Sequence, residues 1–285
     1  MNKQRTHQRK DTAFRYLALA CTGLGLLVLA LLLYDIFARG SGRLSWDFIT
    51  HLPSRFPEKA GILTALAGMV SVMVLTMIFA FPVGIATGIY LEEYGTRNRF
   101  ARILEINIAN LAGVPSIIYG ILGLEIFVRF CRLGNSILAG ALTLALLILP
   151  VIVVSTREAI RAVPRSFREG SLAMGATQWQ TIWNVVLPSA FGGIITGLIL
   201  AISRAIGETA PLIVVGALVY VPFIPEGPLD QFTVLPVQIF NWISRPQAGF
   251  ATNAAAAIIV LLTFTFVLNG IAVYLRHKWY KKVKH

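Results

Sequence analysis

Six apolar stretches, each long enough to cross the hydrocarbon core of a bilayer, limit what this chain can become. They lie at about 16–38, 62–90, 104–128, 134–156, 190–220 and 254–275. A helix rises ~1.5 Å per residue, so about 20 apolar residues traverse ~30 Å of hydrocarbon. The expected fold is therefore all-α, an integral membrane protein with six transmembrane helices. Composition agrees, with 56% hydrophobic and only 13% charged residues among 285, whereas soluble domains carry about 25% charged residues. The first stretch is too long for the apolar part of a signal peptide and lacks a convincing small-residue cleavage site, so it reads as a retained anchor.

The net charge of +12 would suit a nucleic-acid partner if it formed a basic domain. It does not. Lys and Arg cluster in the two tails and in the loops around Arg97, Arg99 and Arg102 and at 157–188, each flanking an apolar stretch. With the N-terminus inside, seventeen basic residues fall on the inner side and seven on the outer, with Arg204 within a helix. Basic loops stay in the cytoplasm, which predicts both termini there and no nucleic-acid binding. Cys21 and Cys131 form no disulfide framework, and the four histidines lack metal-ligand spacing.

Glycine and proline punctuate several spans. Gly84/Gly88 and Gly193/Gly197 are GxxxG pairs, which let a neighbouring helix approach closely. Gly113, Pro115, Gly120 and Gly123 interrupt the third span within eleven residues. A break there lines a cavity or merely kinks a packed helix; the sequence admits both.

The segment 157–188 is the most informative outside the membrane. Ser166 and Glu169 have capping-box spacing just after Pro164, which predicts a helix running to about Met174 and stopping at Gly175. Thr177 and Gln180 repeat the spacing, and Trp179, Ile182, Trp183 and Val186 then form one apolar face, with Pro188 closing the element. Such a hairpin either lies on lipid headgroups or docks onto a partner.

The run Glu169-Gly170-Ser171-Leu172-Ala173-Met174-Gly175, followed by Val185 and by Leu187-Pro188, resembles the EAA loop of bacterial ABC importer permeases. Gly170 and Ser171 stand where that family has alanines. The resemblance implies a type I, MetI-like permease architecture whose 157–188 loop forms coupling helices against an ATPase subunit, with Glu169, Gly170, Ser171, Ala173, Gly175, Trp179, Leu187 and Pro188 as contact residues. The segments 53–58, 113–120, 204–211 and 235–242 further resemble the PstA family of phosphate-importer permeases. That implies a bacterial inner membrane location, a PstC-like second permease subunit, an ATP-binding cassette dimer holding ATP and Mg, an external phosphate-binding protein, and no cofactor in this chain. On this reading 1–15 is a basic tail and 16–61 the first helix with its external loop. Residues 62–275 form the permease core and 276–285 a second basic tail.

Arg204 and Glu208 are expected near the middle of the fifth span, where a charge is costly and marks a pathway or an ion pair. At i, i+4 they share a helix face. The alternatives are a pair that locks two helices together and a cation that meets a passing anion, with Glu208 holding Arg204 when the site is empty. Ser203, Thr209 and Ser116 would add hydroxyls to such a pathway, while Gly207 and Pro211 free a carbonyl beside Glu208. The chain has no Gly-Lys dipeptide and hence no phosphate-cradling P-loop, and no GxSxG or HExxH motif. Transport against a membrane potential would need a separate ATPase. The remaining alternatives are a permease for sulfate, molybdate or phosphonate, a secondary transporter, and a membrane-bound enzyme or receptor. The loop 221–250, with Phe240 and Trp242, reads as a gate, a receptor surface or an interfacial anchor.

Overall fold

The computed structural model describes residues 2–95 and 99–283. Arg97 and Lys284, counted above among the inner basic residues, lie outside them, as do the basic side chains at 2–11 and 279–283. Every regular element among the described residues is helical. The elements are α1 (Asn2–Gly40), the short α2 (Trp46–Thr50), α3 (Leu63–Ile89), α4 (Arg99–Ala112), α5 (Ser116–Gly123), α6 (Ile137–Arg161), α7 (Arg165–Ala173), α8 (Gln178–Thr181), α9 (Leu187–Gly207), α10 (Ala210–Leu212), α11 (Leu235–Ile243) and α12 (Ala248–Val283). Wide π-type turns extend α3 through Tyr90–Tyr94 and α5 through Leu124–Phe130, and join α8 to α9 across Ile182–Val186. Among the described residues, five continuous helical stretches are long and apolar enough to span a membrane, and a sixth forms if α4 and α5 count as one broken span.

α6 occupies the centre, between α3 and α9. Two thirds of its most apolar stretch is buried, whereas none of α1's is. Small residues allow the close approach. A Cβ on Gly84 would lie 2.6 Å from Ile152, and one on Gly88 would lie 2.8 Å from Thr156. On the other side, Gly193 faces Ala159 at 2.6 Å and Gly197 abuts the Ser155 hydroxyl. Both GxxxG pairs thus pack on the same helix, one from α3 and one from α9.

α1 lies outside this core against α12, with Gly40 against the backbone of Ala255 and Ala256. Arg43, just past α1, donates to Asn253 Oδ1 of α12 at 3.0 Å and to the carbonyls of Glu58 and Ala60, and stacks over Phe48. One guanidinium therefore satisfies a loop's carbonyls while fastening the peripheral helix at one end.

Several expectations change. The third span is not one helix: α4 and α5 meet at 109°. Pro115 disfavours helical geometry at Val114 and brings no N–H of its own. The freed Leu111 carbonyl accepts from Val114 N and from the Tyr119 hydroxyl at 2.8 Å. The fifth span does not run 190–220. It begins at Gln178, because α8 continues into α9, and ends at Gly207. Pro188 does not close the hairpin. It lies inside the continuous stretch, as the second residue of α9, and the wide turn just before it accommodates the missing donor. α1 runs helically back to Asn2 through the expected tail, and α12 runs from Ala248 to Val283 rather than 254–275. Within 221–250 a proline-initiated helix, α11, carries Trp242 into the core between Phe48 and Phe250, so that tryptophan is no interfacial anchor.

Candidate functional site

Two places concentrate polar chemistry: the break after α9, and the α7–α8 hairpin at the other end of α9.

At the break, Glu208 is the first residue outside α9, with extended backbone (φ −73°, ψ 122°). The expected mid-helix position of the Arg204–Glu208 pair is therefore corrected, because Pro211 cannot continue the helical ladder and the chain restarts as α10. Arg204 Nε lies 3.3 Å from Glu208 Oε1, and the arginine side chain is 43% exposed against 16% for the glutamate. The cation thus has both a partner and an open side. It lies in the last turn of α9, where the helix dipole favours positive charge. Thr209 Oγ1 is 3.4 Å from the Gly207 carbonyl, and Gly207 faces open space.

The segment beyond the break packs on the second half of the broken third span. A Cβ on Gly120 of α5 would lie 2.7 Å from Pro211 Cα, so α10 rests on α5. Tyr119 of α5 is within electrostatic reach of Arg204. Ser116, half-buried, opens α5 just after Pro115, and Gly113 meets only the Asn110 carbonyl of its own turn. Ser203 sits elsewhere. Its hydroxyl lies 2.8 Å from the Ile199 carbonyl and 2.6 Å from Asn269 Oδ1 of α12, which ties α9 to α12. The structure thus gathers Arg204, Glu208, Thr209 and Tyr119 at one break and turns Ser203 to a helix contact.

The hairpin is built by local rules. Thr177 and Gln180 form a complete capping box, and Gly175 takes φ +87°, a conformation a glycine adopts without strain. The other expected cap is absent: Pro164 occupies the N-cap of α7 and Ser166 lies inside the helix, with no side-chain cap. The expected single apolar face also divides. Ile182 and Val186 are buried, Val186 against Ile160, Val163 and Ile194, whereas Trp179 and Trp183 are 60% and 51% exposed and stack edge-on at 5.4 Å. On a helix of ~3.6 residues per turn these four residues spread over about 100° of arc, and the half carrying Ile182 and Val186 faces the core while the half carrying the tryptophans does not. Phe167, Leu172 and Met174 add exposed apolar surface on the same hairpin. Glu169, Gly170, Ala173 and Gly175 are exposed as well, as is Pro188, and Leu187 is half-buried against the Val186 cluster. Ser171 is half-buried, with its hydroxyl 2.9 Å from that of Thr181.

Sequence reading assigned no partners to the charges behind the hairpin. Glu92 and Glu93 end α3. Glu92 accepts from Arg157 and Arg161 of α6, and Arg157 also reaches Glu105 of α4 at 2.6 Å. Glu93 accepts from Arg168 of α7 at 2.8 Å, and its carbonyl accepts from Gln178 of α8 at 2.9 Å. A signal was present, since two adjacent acids close an apolar span on its basic side, but their partners lie 65 to 85 residues away. Among the described residues no cluster of His, Cys, Asp and Glu could hold a metal ion.

Comparison with known proteins places these features in a family. Residues 80–280 match the family described as binding-protein-dependent transport system inner membrane component. The chain is 34% identical over 285 residues to the probable ABC transporter permease protein YqgI of Bacillus subtilis (strain 168), covering 94% of this chain and 96% of that one. It is 31% identical over 266 residues to the phosphate transport system permease protein PstA of Haemophilus influenzae, covering 93% and 92%. Its fold is similar to a structure of the MetNI methionine ABC transporter in inward-facing conformations, with TM-score 0.62 and 18% identity over 76% of this chain and 97% of that one.

Proposed function

The chain belongs to the inner membrane components of binding-protein-dependent transport systems, the permeases of ABC importers, and from that premise we propose that it imports inorganic phosphate, driven by an ATPase docked on the 165–188 hairpin. The observation that carries the proposal is the hairpin itself. It is continuous with α6 on one side and α9 on the other, and it presents Trp179, Trp183, Phe167 and Met174 to solvent. Exposed aromatic surface on a short polar element is what a partner's groove would cover. Both termini lie in the cytoplasm, as the distribution of Lys and Arg favours.

Phosphate is supported by the similarity to PstA proteins and by Arg204. Its planar guanidinium can fork onto two oxygens of an oxyanion, and Glu208 would hold it between passages. A site that must release its cargo benefits from such a competing carboxylate. The complete importer would contain a PstC-like second permease, two ATPase subunits that bind ATP and Mg, and an external phosphate-binding protein. Import of an anion into a negative interior opposes ~2.3 kcal/mol per charge per 100 mV, and ATP hydrolysis by the partner supplies that work.

The test is reconstitution of the complex in liposomes. Phosphate-loaded binding protein should stimulate ATP hydrolysis and uptake, and sulfate, molybdate and phosphonates should not. Equal stimulation by another oxyanion would reassign the substrate. Uptake by this chain alone on an ion gradient would replace the ABC reading with a secondary transporter.

A further inference from the structure

The hairpin reaches the core by two covalent routes. Its first arm, α7, follows α6 across only Ala162–Pro164, and its second, α8, runs unbroken into α9. α3, which also packs on α6, has no such connection to the hairpin. Among the described residues, Glu93 in the extension of α3 makes polar links to both arms of the hairpin. Its carboxylate accepts from Arg168 Nε at 3.0 Å and Nη2 at 2.8 Å, and its carbonyl accepts from Gln178 Nε2 at 2.9 Å. Arg168 is itself immobilised, since Nη1 and Nη2 also donate to the carbonyls of Val163 and Ile160 at the end of α6. The pair is largely shielded, with side chains 10% and 19% exposed.

That shielding matters energetically. Exposed ion pairs contribute little, but a half-buried carboxylate holding a forked guanidinium is strongly oriented and costly to separate. α4, by contrast, has Glu105, half exposed, paired with Arg157 of α6 and not with a hairpin residue. The ion pairs therefore fix α3 to the hairpin directly and α4 only to α6.

We propose that Glu93 is a positioning residue for transport: through Arg168 and Gln178 it makes α3 move with the hairpin, so that α3, α6 and α9 respond to the ATPase as one body. This rests on the reading of the hairpin as the ATPase dock. Without the Glu93 link a displacement of the hairpin would still pull α6 and α9 through the chain, but α3 would follow only through its packing on α6 and the Glu92 pairs with Arg157 and Arg161, and so less closely. ATP would then be hydrolysed without an equivalent passage of substrate.

The experiment compares Glu93→Ala, Glu93→Gln and Arg168→Lys in the reconstituted complex with its ATPase subunits and phosphate-binding protein. Copurified ATPase, ATP hydrolysis and phosphate taken up per ATP are measured together. Glu93→Ala should keep assembly and hydrolysis but lower uptake per ATP at least about fivefold, the low end of coupling between distant sites. Glu93→Gln keeps an oxygen acceptor for Arg168 and should retain most of the ratio. Arg168→Lys loses the fork and should fall between. Unchanged uptake per ATP in Glu93→Ala overturns the proposal, and so does a loss of uptake that merely tracks a loss of assembled complex. If the unsubstituted chain binds no ATPase, the docking reading itself fails, a result separate from any effect of Glu93.

Discussion

Ser171 Oγ of α7 lies 2.9 Å from Thr181 Oγ1 of α8, and this hydroxyl pair joins the two arms of the hairpin. Thr181 is 3% exposed, so its hydroxyl has little access to water. Ser171 occupies a position where the EAA loop it resembles carries alanine. The departure thus adds a direct hydrogen bond between arms that are also joined by the Gly175 turn, by packing and through Glu93.

Ser171→Ala should therefore weaken the hairpin rather than leave it neutral. A buried hydroxyl stripped of its partner costs about 1–3 kcal/mol, whereas removing both partners is nearly neutral. Amide hydrogen exchange across 165–186 should accelerate in Ser171→Ala and return towards the original rate in the double variant Ser171→Ala/Thr181→Val. Equal exchange in all three proteins would show that the pair carries no stability.

The glycines of α9 and α1 should behave oppositely. A Cβ at Gly193 meets the Cβ of Ala159 at 2.6 Å, and one at Gly197 meets Ser155, whereas Gly23 and Gly25 of α1 have nothing within 4 Å. Forcing α9 away from α6 by Gly193→Val should cost about 1–3 kcal/mol, the usual penalty of overpacking. Gly23→Ala should be neutral or slightly stabilising. The unfolding temperature of the detergent-purified chain measures both, and a Gly193→Val variant as stable as Gly23→Ala would refute the close α6–α9 contact.

What could be read from the sequence was local. The Thr177/Gln180 cap, the Gly175 turn and the apolar stretches each depend on residues a few positions apart, and the structure contains them. The failures arise where tertiary context decides. Pro188 and Pro211 look alike as helix breakers, yet Pro188 lies within the continuous helical stretch Gln178–Gly207 and Pro211 follows a true break at Glu208. Trp179 and Ile182 lie about 60° apart on a helix, and which of them is buried is decided by where the core packs, on the Ile182 side. The partners of Glu92 and Glu93 were invisible because no short-range pattern specifies a contact 65 to 85 residues away. At the break, the pairing of Arg204 with Glu208 followed from i, i+4 spacing, whereas Tyr119 approaches from a separate broken span and left no sequence signature.

Substitutions at Arg204 separate a transport role from a structural one. Arg204→Gln removes one charged hydrogen-bond donor from the path, an interaction of about 1.5–3 kcal/mol, so uptake should fall about 10- to 100-fold with assembly intact. Arg204→Lys keeps the charge but not the fork and should lie between. Glu208→Gln frees Arg204 from its competing carboxylate, which should tighten anion binding and slow release. Normal uptake in a correctly assembled Arg204→Gln complex would leave Arg204 as a helix-end ion pair only.

The tryptophans supply the sharpest division between folding and docking. Trp179 and Trp183 are more than half exposed and stack mainly on each other, so their truncation removes little buried area from this chain. Ile182, one residue away from Trp183, is 1% exposed and belongs to the interior. Trp179→Ala/Trp183→Ala should therefore leave the unfolding temperature within the range of ordinary surface substitutions, about ±0.5 kcal/mol. The same change should weaken association with the ATPase by at least ~2 kcal/mol, as expected for paired aromatic anchors at an interface centre. Ile182→Ala should do the reverse in the first respect, lowering stability by about 2–5 kcal/mol. Thermal unfolding of the isolated chain, set beside titration with the ATPase subunit, reads both quantities. If the double tryptophan variant bound its ATPase as tightly as the original, the exposed face would serve lipid rather than a partner, and the hairpin would be an interfacial element of the membrane.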